Sequence, residues 1–395
     1  GLVLYFPAPH SFTGEDVIEL QGHGGMILQQ QLLTRVFELG ANQAVAGEFS
    51  ARAFDNDKLD LVQAEAIADA IDATSVAAAK SAMRSLTGEF SQKINALLEQ
   101  LIQLRLYVEA AIDFPDEEGV DFLADEHIAK QLRQVCEQLN NVLATAKQGQ
   151  LLRDGVSVVI AGRPNAGKSS LLNRLAGQER AIVTDIAGTT RDILQETIVL
   201  NGLTLNLTDT AGLRQTDDIV EQAGIERARQ AITQADLLLM VYDAHREHEP
   251  LRLATELFGS LPNANSILMI ANKIDLSDNH QNLPKQFSSQ EQIYHPVYVS
   301  CKYGTGLEEL VNQICDKVGF HPPENSLIAR TRHLDALRRT QMALQEADEQ
   351  LHLFHAGELV AESLRQAQLS LNEITGEFTA DDLLGKIFGS FCIGK

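Results

Sequence analysis

Val156-Ser157-Val158-Val159-Ile160 runs without a break into Ala161-Gly162-Arg163-Pro164-Asn165-Ala166-Gly167-Lys168-Ser169, and this junction decides the fold. A short β-branched run, a loop with glycine at its first and sixth positions, then Lys-Ser and an apolar-periodic stretch read as strand, phosphate-binding loop and helix. Loop amides and a helix N-terminus offer unpaired donors and positive potential to phosphate oxygens. In that setting Lys168 is expected to reach the β- and γ-phosphates, and the Ser169 hydroxyl to ligate Mg²⁺.

Working outward, short apolar runs at Leu203 to Leu207, Leu237 to Tyr242, Ser266 to Ile270 and Pro296 to Val299 alternate with polar helical stretches. Such alternation predicts a mostly parallel sheet flanked by helices. Asp209-Thr210-Ala211-Gly212 follows one of these strands, so Asp209 is expected to hold magnesium through its water shell and the Gly212 amide to meet the γ-phosphate. Asn272-Lys273-Ile274-Asp275 selects the base. The Asp275 carboxylate can accept hydrogen bonds from guanine N1–H and its exocyclic amine, whereas adenine lacks that donor pair and would leave a carboxylate unpaired. The expected ligand is GTP. Ser300-Cys301-Lys302 after the last strand fits the loop whose backbone amide contacts the guanine oxygen, and Lys273 and Ile274 of the first base motif belong to the expected GTP site. Gly188-Thr189-Thr190-Arg191-Asp192 occupies the place of the segment that closes over γ-phosphate, with Thr190 as second Mg²⁺ ligand. Leu213 stands where familiar small GTPases place a water-orienting glutamine, so hydrolysis calls for another residue or an ion.

The 395 residues suggest two or three domains. Residues 1–57 read as a small α+β piece, 58–148 and 322–395 as two stretches of helical texture, and 149–321 as the α/β nucleotide domain inserted between them. The fold class is multidomain α/β and α. Leu97, Leu98, Leu101, Leu104 and Val108 recur at helical spacing in a set of long helices. The first residue is Gly1 and a strand is already under way at Leu2, so the expectation is that the front of the first domain is absent. Hydrophobic residues make up 44% and charged residues 22%, which excludes disorder as the main theme. No stretch approaches the roughly 18 uncharged apolar residues that cross a bilayer, and nothing reads as a signal peptide, so the cytoplasm is expected. Cys136, Cys301, Cys315 and Cys392 lack paired spacing, which argues against a disulfide framework or a zinc site. With 32 basic and 54 acidic residues the net charge is -22, a sign that repels nucleic acid unless a local patch or a partner compensates.

Taken together, the residues resemble the family of tRNA-modifying GTPases called MnmE or TrmE. The likeness rests on GRPNAGKSSLLN (Gly162 to Asn173), TDIAGTTRD (Thr184 to Asp192), DTAGLR (Asp209 to Arg214), SFTGEDVIELQGHGG (Ser11 to Gly25), NDKLDLVQAEAIAD (Asn56 to Asp69) and the closing Phe391-Cys392-Ile393-Gly394-Lys395. It implies a GTP site formed by Asn165, Ala166, Gly167, Lys168, Ser169 and Ser170, by Thr184, Asp185, Ile186, Ala187, Gly188, Thr189 and Thr190, by Asp209, Thr210, Ala211 and Gly212, and by the two base motifs. It implies K⁺ held by Asn165, Thr184, Ile186 and Thr189, a Glu221 that positions the attacking water, and hydrolysis when the nucleotide domains of a homodimer meet. It further implies a tetrahydrofolate derivative bound near Glu19, Lys58 and Lys395, and a role for the Cys392 thiol. The implied output, with a flavin-containing partner called MnmG or GidA, is an aminomethyl or carboxymethylaminomethyl group on carbon 5 of the wobble uridine of certain tRNAs. A regulatory GTPase of ribosome assembly shares the phosphate-loop and DTAG motifs and is the alternative.

Overall fold

The structure is a computed structural model and describes residues 1–113, 126–177, 195–209, 231–276, 283–289, 291–321, 326–354 and 356–376. In chain order these form β1 (Leu2–Phe6), β2 (Val17–Gln21), α1 (Met26–Glu38), α2 (Glu48–Asp55), α3 (Leu61–Ile71), α4 (Val76–Leu86), α5 (Glu89–Asp113), α6 (Glu126–Asp154), β3 (Val156–Ala161) and α7 (Lys168–Ala176). After them come β4 (Gln195–Leu200), β5 (Leu203–Asp209), β6 (Leu237–Asp243), α8 (Pro250–Phe258), β7 (Ile267–Asn272), β8 (Phe287–Ser289), β9 (Gln292–Tyr294), β10 (Pro296–Tyr298), α9 (Leu307–Val318), α10 (Thr331–Glu349) and α11 (Gly357–Thr375). They divide into two compact units, one of Gly1–Asp72, Lys80–Lys147 and the described residues from Leu327, the other of Ala73–Ala79 and Gln148–Ser326.

The first unit is mainly helical. Phe90, Ile94, Leu97, Leu101, Leu104 and Val108 of α5 alternate at four and three residues, and so do Ile128, Leu132, Val135 and Leu139 of α6. That spacing keeps one seam facing inward along the whole helix. Leu334, Leu337 and Leu344 of α10 and Val360, Leu364, Leu371 and Ile374 of α11 complete the same core. The helical texture is not made of long helices throughout: α3 and α4 have 11 residues each. A reciprocal cap starts α3, the Asp60 carboxylate accepting from the Gln63 amide at 2.8 Å while the Gln63 side chain accepts from the Asp60 amide at 3.0 Å. The antiparallel β1–β2 ribbon and α1 carry exposed apolar residues, among them Val3, Ile18, Met26 and Ile27.

A buried ion cluster ties three helices of this unit. Glu65 of α3, 2% exposed, receives Nε and Nη2 of Arg332 at 2.7 and 2.8 Å. Arg332 also donates to the Glu373 and Ile374 carbonyls at the end of α11. Asp69 accepts from Arg330 at 2.8 Å. His333 takes the Arg330 amide on Nδ1 at 3.1 Å, which leaves its proton on Nε2, 3.0 Å from Glu65 Oε2.

The second unit holds a six-stranded sheet in the order β10-β7-β6-β3-β5-β4. All neighbours are parallel except β4 and β5. The central strands β3, β6 and β7 are buried on both faces, which is why they read as continuous apolar runs. Val158, Ile160, Leu239 and Ile270 pack with Leu171 and Leu175 of α7 and Leu310 and Ile314 of α9. Val159, Leu238, Met240 and Met269 face the other way, with Leu253 of α8. The sequence reading missed the edge strand β4 and the small β8–β9 hairpin. Residues 73–79, within the stretch read as helical texture, lie against the β4–β5 turn: Thr74 Oγ1 is 2.8 Å from Thr204 Oγ1, and Ser75 donates to the Gly202 carbonyl at 3.1 Å. The two ends of the larger segment are joined by one side chain, because Gln148 donates to the Gly319 carbonyl at 2.7 Å and accepts from the His321 amide at 2.8 Å.

The ion cluster makes the first unit acid-sensitive in a defined way. Burial acts to raise the Glu65 carboxyl, but His333 and Arg332 beside it prevail and hold it down to about 2, against an ordinary 4.5. Burial, helped by the charge of Arg332, pushes His333 below its ordinary 6.5. Both groups therefore bind protons more weakly in the folded chain than in the unfolded one, and acidification favours unfolding. The stabilisation is complete above pH 6.5, starts to fall below that value through His333, and falls further from 4.5 towards about 2 through Glu65. Thermal melts followed by circular dichroism should show this two-part decline. Glu65→Gln should lose about 3 kcal/mol or more at pH 7, because it leaves buried guanidinium uncompensated, and should flatten the lower part of the decline; an unchanged lower part would refute the assignment.

Candidate guanine nucleotide site

The parallel strands end together, and the sequence-predicted residues come off their carboxyl ends, where open α/β sheets place ligands. Ile160 of β3 pairs with Asp209 of β5, and Asp243 of β6 pairs with Asn272 of β7. β7 runs two residues beyond the expected strand, so that Asn272 is its last residue. The phosphate loop leaves β3 and turns at Asn165 (φ 62°) and Gly167 (φ 99°) before α7 begins at Lys168. Gly162 has no room for a side chain, since a Cβ there would stand 2.1 Å from the Val241 carbonyl oxygen. Lys168 donates to the Gly162 carbonyl at 2.9 Å and the Arg163 carbonyl at 3.3 Å, which holds its ammonium over the loop. Arg163 anchors the loop's outer side on Glu247 and Glu256, at 3.2 and 3.0 Å.

Asn272 joins the loops. Its side chain is 2% exposed; Nδ2 donates to the Ala166 carbonyl at 3.0 Å, and Oδ1 accepts from the Lys273 amide at 2.8 Å and the Cys301 amide at 3.2 Å. One buried amide thus connects the phosphate loop with both base motifs. Lys273 (φ 64°) turns the chain and donates to Asp243 at 2.9 Å. Burial acts to raise the Asp243 carboxyl, but the Lys273 ammonium overcomes this and leaves it below its ordinary value. Asp275 lies in a single turn of 3₁₀ helix, Ile274–Leu276, and its Oδ1 accepts from Ser300 Oγ at 2.6 Å. That bond orients the carboxylate expected to read the base. The Ser300–Lys302 loop is closed by the Ser300–Thr305 bridge, and Gly306 fits because a Cβ would stand 2.1 Å from the Tyr298 carbonyl oxygen. Burial, more than the Arg174 charge that opposes it, pushes the Cys301 thiol up, so this cysteine is a neutral packing group.

The structure therefore brings together Asn165, Ala166, Gly167, Lys168, Ser169, Ser170, Asn272, Lys273, Ile274, Asp275, Ser300, Cys301 and Lys302. Ser169 and Ser170 are exposed on the first turn of α7. Of Asp209 the backbone at the end of β5 is described. Thr184, Asp185, Ile186, Ala187, Gly188, Thr189, Thr190, Thr210, Ala211, Gly212, Glu221, Cys392 and Lys395 lie outside the described residues. In the first unit Glu19 stands exposed on β2 and accepts from Gln21 at 3.1 Å, while the Lys58 stem lies over Gly14. Sequence reasoning missed Arg174, which donates from α7 to the Cys301 carbonyl at 2.9 Å and the Lys302 carbonyl at 2.7 Å. It also missed the Arg163 anchor.

Gly167 carries the most direct test of this geometry. A Cβ there would stand 2.1 Å from Asn272 Nδ2 on a backbone that side chains rarely adopt. Gly167→Ala should weaken GDP binding roughly 100-fold, from backbone strain together with loss of the Asn272 link. Titration calorimetry checks this, and affinity within threefold of the parent would mean the link is dispensable.

Comparison with known proteins identifies the family. A family model described as "MnmE helical domain" matches residues 61–392, and one described as "GTP-binding protein TrmE N-terminus" matches residues 1–58. A "tRNA modification GTPase MnmE" of Psychrobacter arcticus is 74% identical over 403 residues, covering 100% of this chain and 84% of that protein. Proteins of the same name from Acinetobacter baylyi and Pseudomonas aeruginosa are 64% and 56% identical, again across the whole of this chain and 84% and 86% of theirs. Among solved structures, the G domain of the T. maritima FeoB iron transporter matches 41% of this chain and 98% of its own at 26% identity, with a TM-score of 0.29. Identity of this extent, along the whole chain, places the protein in the MnmE (TrmE) family of tRNA modification GTPases.

Proposed function

We propose that this GTPase hydrolyses GTP at the site built around Asn272, and that hydrolysis serves formation of aminomethyl or carboxymethylaminomethyl groups on carbon 5 of the wobble uridine of certain tRNAs. The observation that carries the reading is the convergence of both base motifs and the phosphate loop on one buried amide. Water adds to the γ-phosphorus as the bond to the β–γ bridging oxygen breaks, giving GDP and phosphate. Lys168 and the loop amides meet the charge that passes to the β–γ oxygens. Asp275, oriented by Ser300, accepts the guanine N–H pair. Glu221 is the candidate to orient the water.

The exposed oxygens of Ser169 and Asn165 suit hard cations, which fits Mg²⁺ with Thr190 and Asp209, and K⁺ with Thr184, Ile186 and Thr189. When bound, Mg²⁺ would neutralise phosphate charge, and K⁺ would supply the positive charge that an arginine finger brings elsewhere. Glu19, exposed on β2, is an acceptor of the kind a pterin N–H edge requires, and Lys58 and Lys395 add cations for a tetrahydrofolate derivative that donates one carbon. By this reading residues 1–57 hold the folate site, 149–321 the nucleotide, and the flanking helical stretches bring Cys392 to the reaction.

The reading includes a homodimer, a flavoprotein partner called MnmG or GidA, and a cytoplasmic setting. A partner would relieve the mismatch between a net charge of -22 and a polyanionic substrate. Among the described residues no helix is long and apolar enough to cross a membrane.

GTP turnover should be at least about tenfold faster in K⁺ than in Na⁺, as expected for an ion doing transition-state work; equal rates would remove Asn165 and its companions as an ion site. Mass spectrometry of tRNA nucleosides from cells lacking the gene should show loss of the 5-substituted wobble uridines, restored by the intact protein and not by Cys392→Ser. An unchanged nucleoside profile would favour the ribosome-assembly alternative.

A further inference from the structure

The Ser300–Lys302 loop is held from a direction that neither base motif supplies. Arg174 sits six residues after Lys168, about one and two-thirds turns along α7, and its guanidinium spans two consecutive carbonyls of the loop, Cys301 at 2.9 Å and Lys302 at 2.7 Å. A planar five-donor fork is the side chain suited to such a pair of acceptors, and its charge makes both bonds strong.

The other groups of the loop show what this grip sets. The Ser300 amide donates to the Thr305 carbonyl at 3.0 Å, the Cys301 amide to Asn272 Oδ1 at 3.2 Å, the Tyr303 amide to Ser300 Oγ at 3.4 Å, and the Gly304 amide to the Ser300 carbonyl at 2.8 Å. Among the described residues, the Lys302 amide is the one in this run with no acceptor. It belongs to the same planar peptide as the Cys301 carbonyl, and in a trans peptide the C=O and N–H point in opposite directions. With the Cys301 oxygen drawn to Arg174, the Lys302 N–H is turned away from α7, and the neighbouring Lys302 carbonyl is pinned as well. The peptide plane cannot rotate without breaking a charge-assisted hydrogen bond.

We propose that Arg174 is a positioning residue for guanine recognition: by fixing the Cys301–Lys302 peptide, it aims the Lys302 amide as the donor to the O6 carbonyl of the base. This rests on the reading of Asp275 and the Ser300–Lys302 loop as the base site. It separates two parts of recognition, the carboxylate that reads N1–H and the amine, and the amide that reads O6. It also ties base contact to the phosphate-loop helix, since the side chain that sets the amide stands on the helix whose first residue is Lys168.

The test compares GDP with 2-aminopurine riboside diphosphate, which keeps the exocyclic amine and the phosphates, lacks both O6 and the N1 proton, and is itself fluorescent. On the full chain, Arg174→Ala should weaken GDP about tenfold, the effect of losing one well-placed donor, and leave the 2-aminopurine nucleotide within about twofold, so that the preference between them narrows. Arg174→Lys, which reaches a single carbonyl, should restore part of the preference. GTP turnover in K⁺ should show the change in KM, with kcat at saturation held within about twofold. An unaltered preference would overturn the proposal, and so would an equal loss for both nucleotides, which would mark Arg174 as support for the phosphate loop alone. A parent chain that bound both nucleotides equally would remove the base site itself, and the role of Arg174 with it.

Discussion

The nucleotide site depends on one buried carboxamide. Asn272 is placed by the last pair of β7, where the sheet ends and three loops must meet without water between them. A carboxamide offers a donor at one end and an acceptor at the other, and here the first meets the Ala166 carbonyl while the second serves two amides. A carboxylate of the same shape would have no proton for Ala166, and an apolar residue would leave all three backbone groups unsatisfied in a buried place. Glycines let the loops come this close. Gly162, Gly167 and Gly306 each stand where a Cβ would meet another group at 2.1 Å. At Gly167 the crowding comes from the amide itself, and at Gly162 and Gly306 from the main-chain carbonyls of Val241 and Tyr298.

What was legible in the sequence and what was not divides along a physical line. The phosphate loop and Asn272-Lys273-Ile274-Asp275 were readable because each needs particular residue types at fixed local spacing, and a positive φ or a crowded Cβ excludes most substitutes. The buried strands were readable because both faces are covered, which leaves unbroken apolar runs. Arg174 gave no signal, since its acceptors are main-chain carbonyls that every residue carries, 127 and 128 positions away. The edge strand β4 opens with Gln195 and Glu196, and its antiparallel partner β5 follows after a two-residue turn, a pattern submerged in an alternation that announced parallel pairing. Thr74 and Ser75 look like ordinary residues before a helix; nothing local tells that their hydroxyls meet the β4–β5 turn.

The helical unit shows a similar contrast between pattern and specificity. Its heptad-like seams on α5 and α6 could be anticipated, and they supply nonspecific adhesion that tolerates sliding by a turn. The Glu65–Arg332 pair does not tolerate sliding, because Arg332 also meets the last carbonyls of α11. Buried ion pairs add little net stability compared with apolar replacements. Their geometry suits them to fixing which turn of one helix faces which turn of another.

Gln148 has a consequence for how the chain is made. The core of the helical unit draws on residues on both sides of a segment that runs from 148 to 326, so that core cannot close until the ribosome has delivered both sides. Bringing the flanks together across a flexible loop of that length would oppose assembly by on the order of 5 kcal/mol of chain entropy. The inserted segment can fold first, from contacts it contains itself, and once folded it holds its entry at Gln148 beside its exit at Gly319 and His321. To the flanking helices it then acts as a short connection. An insertion whose entry and exit are held together in this way suits a chain that emerges from the ribosome in order.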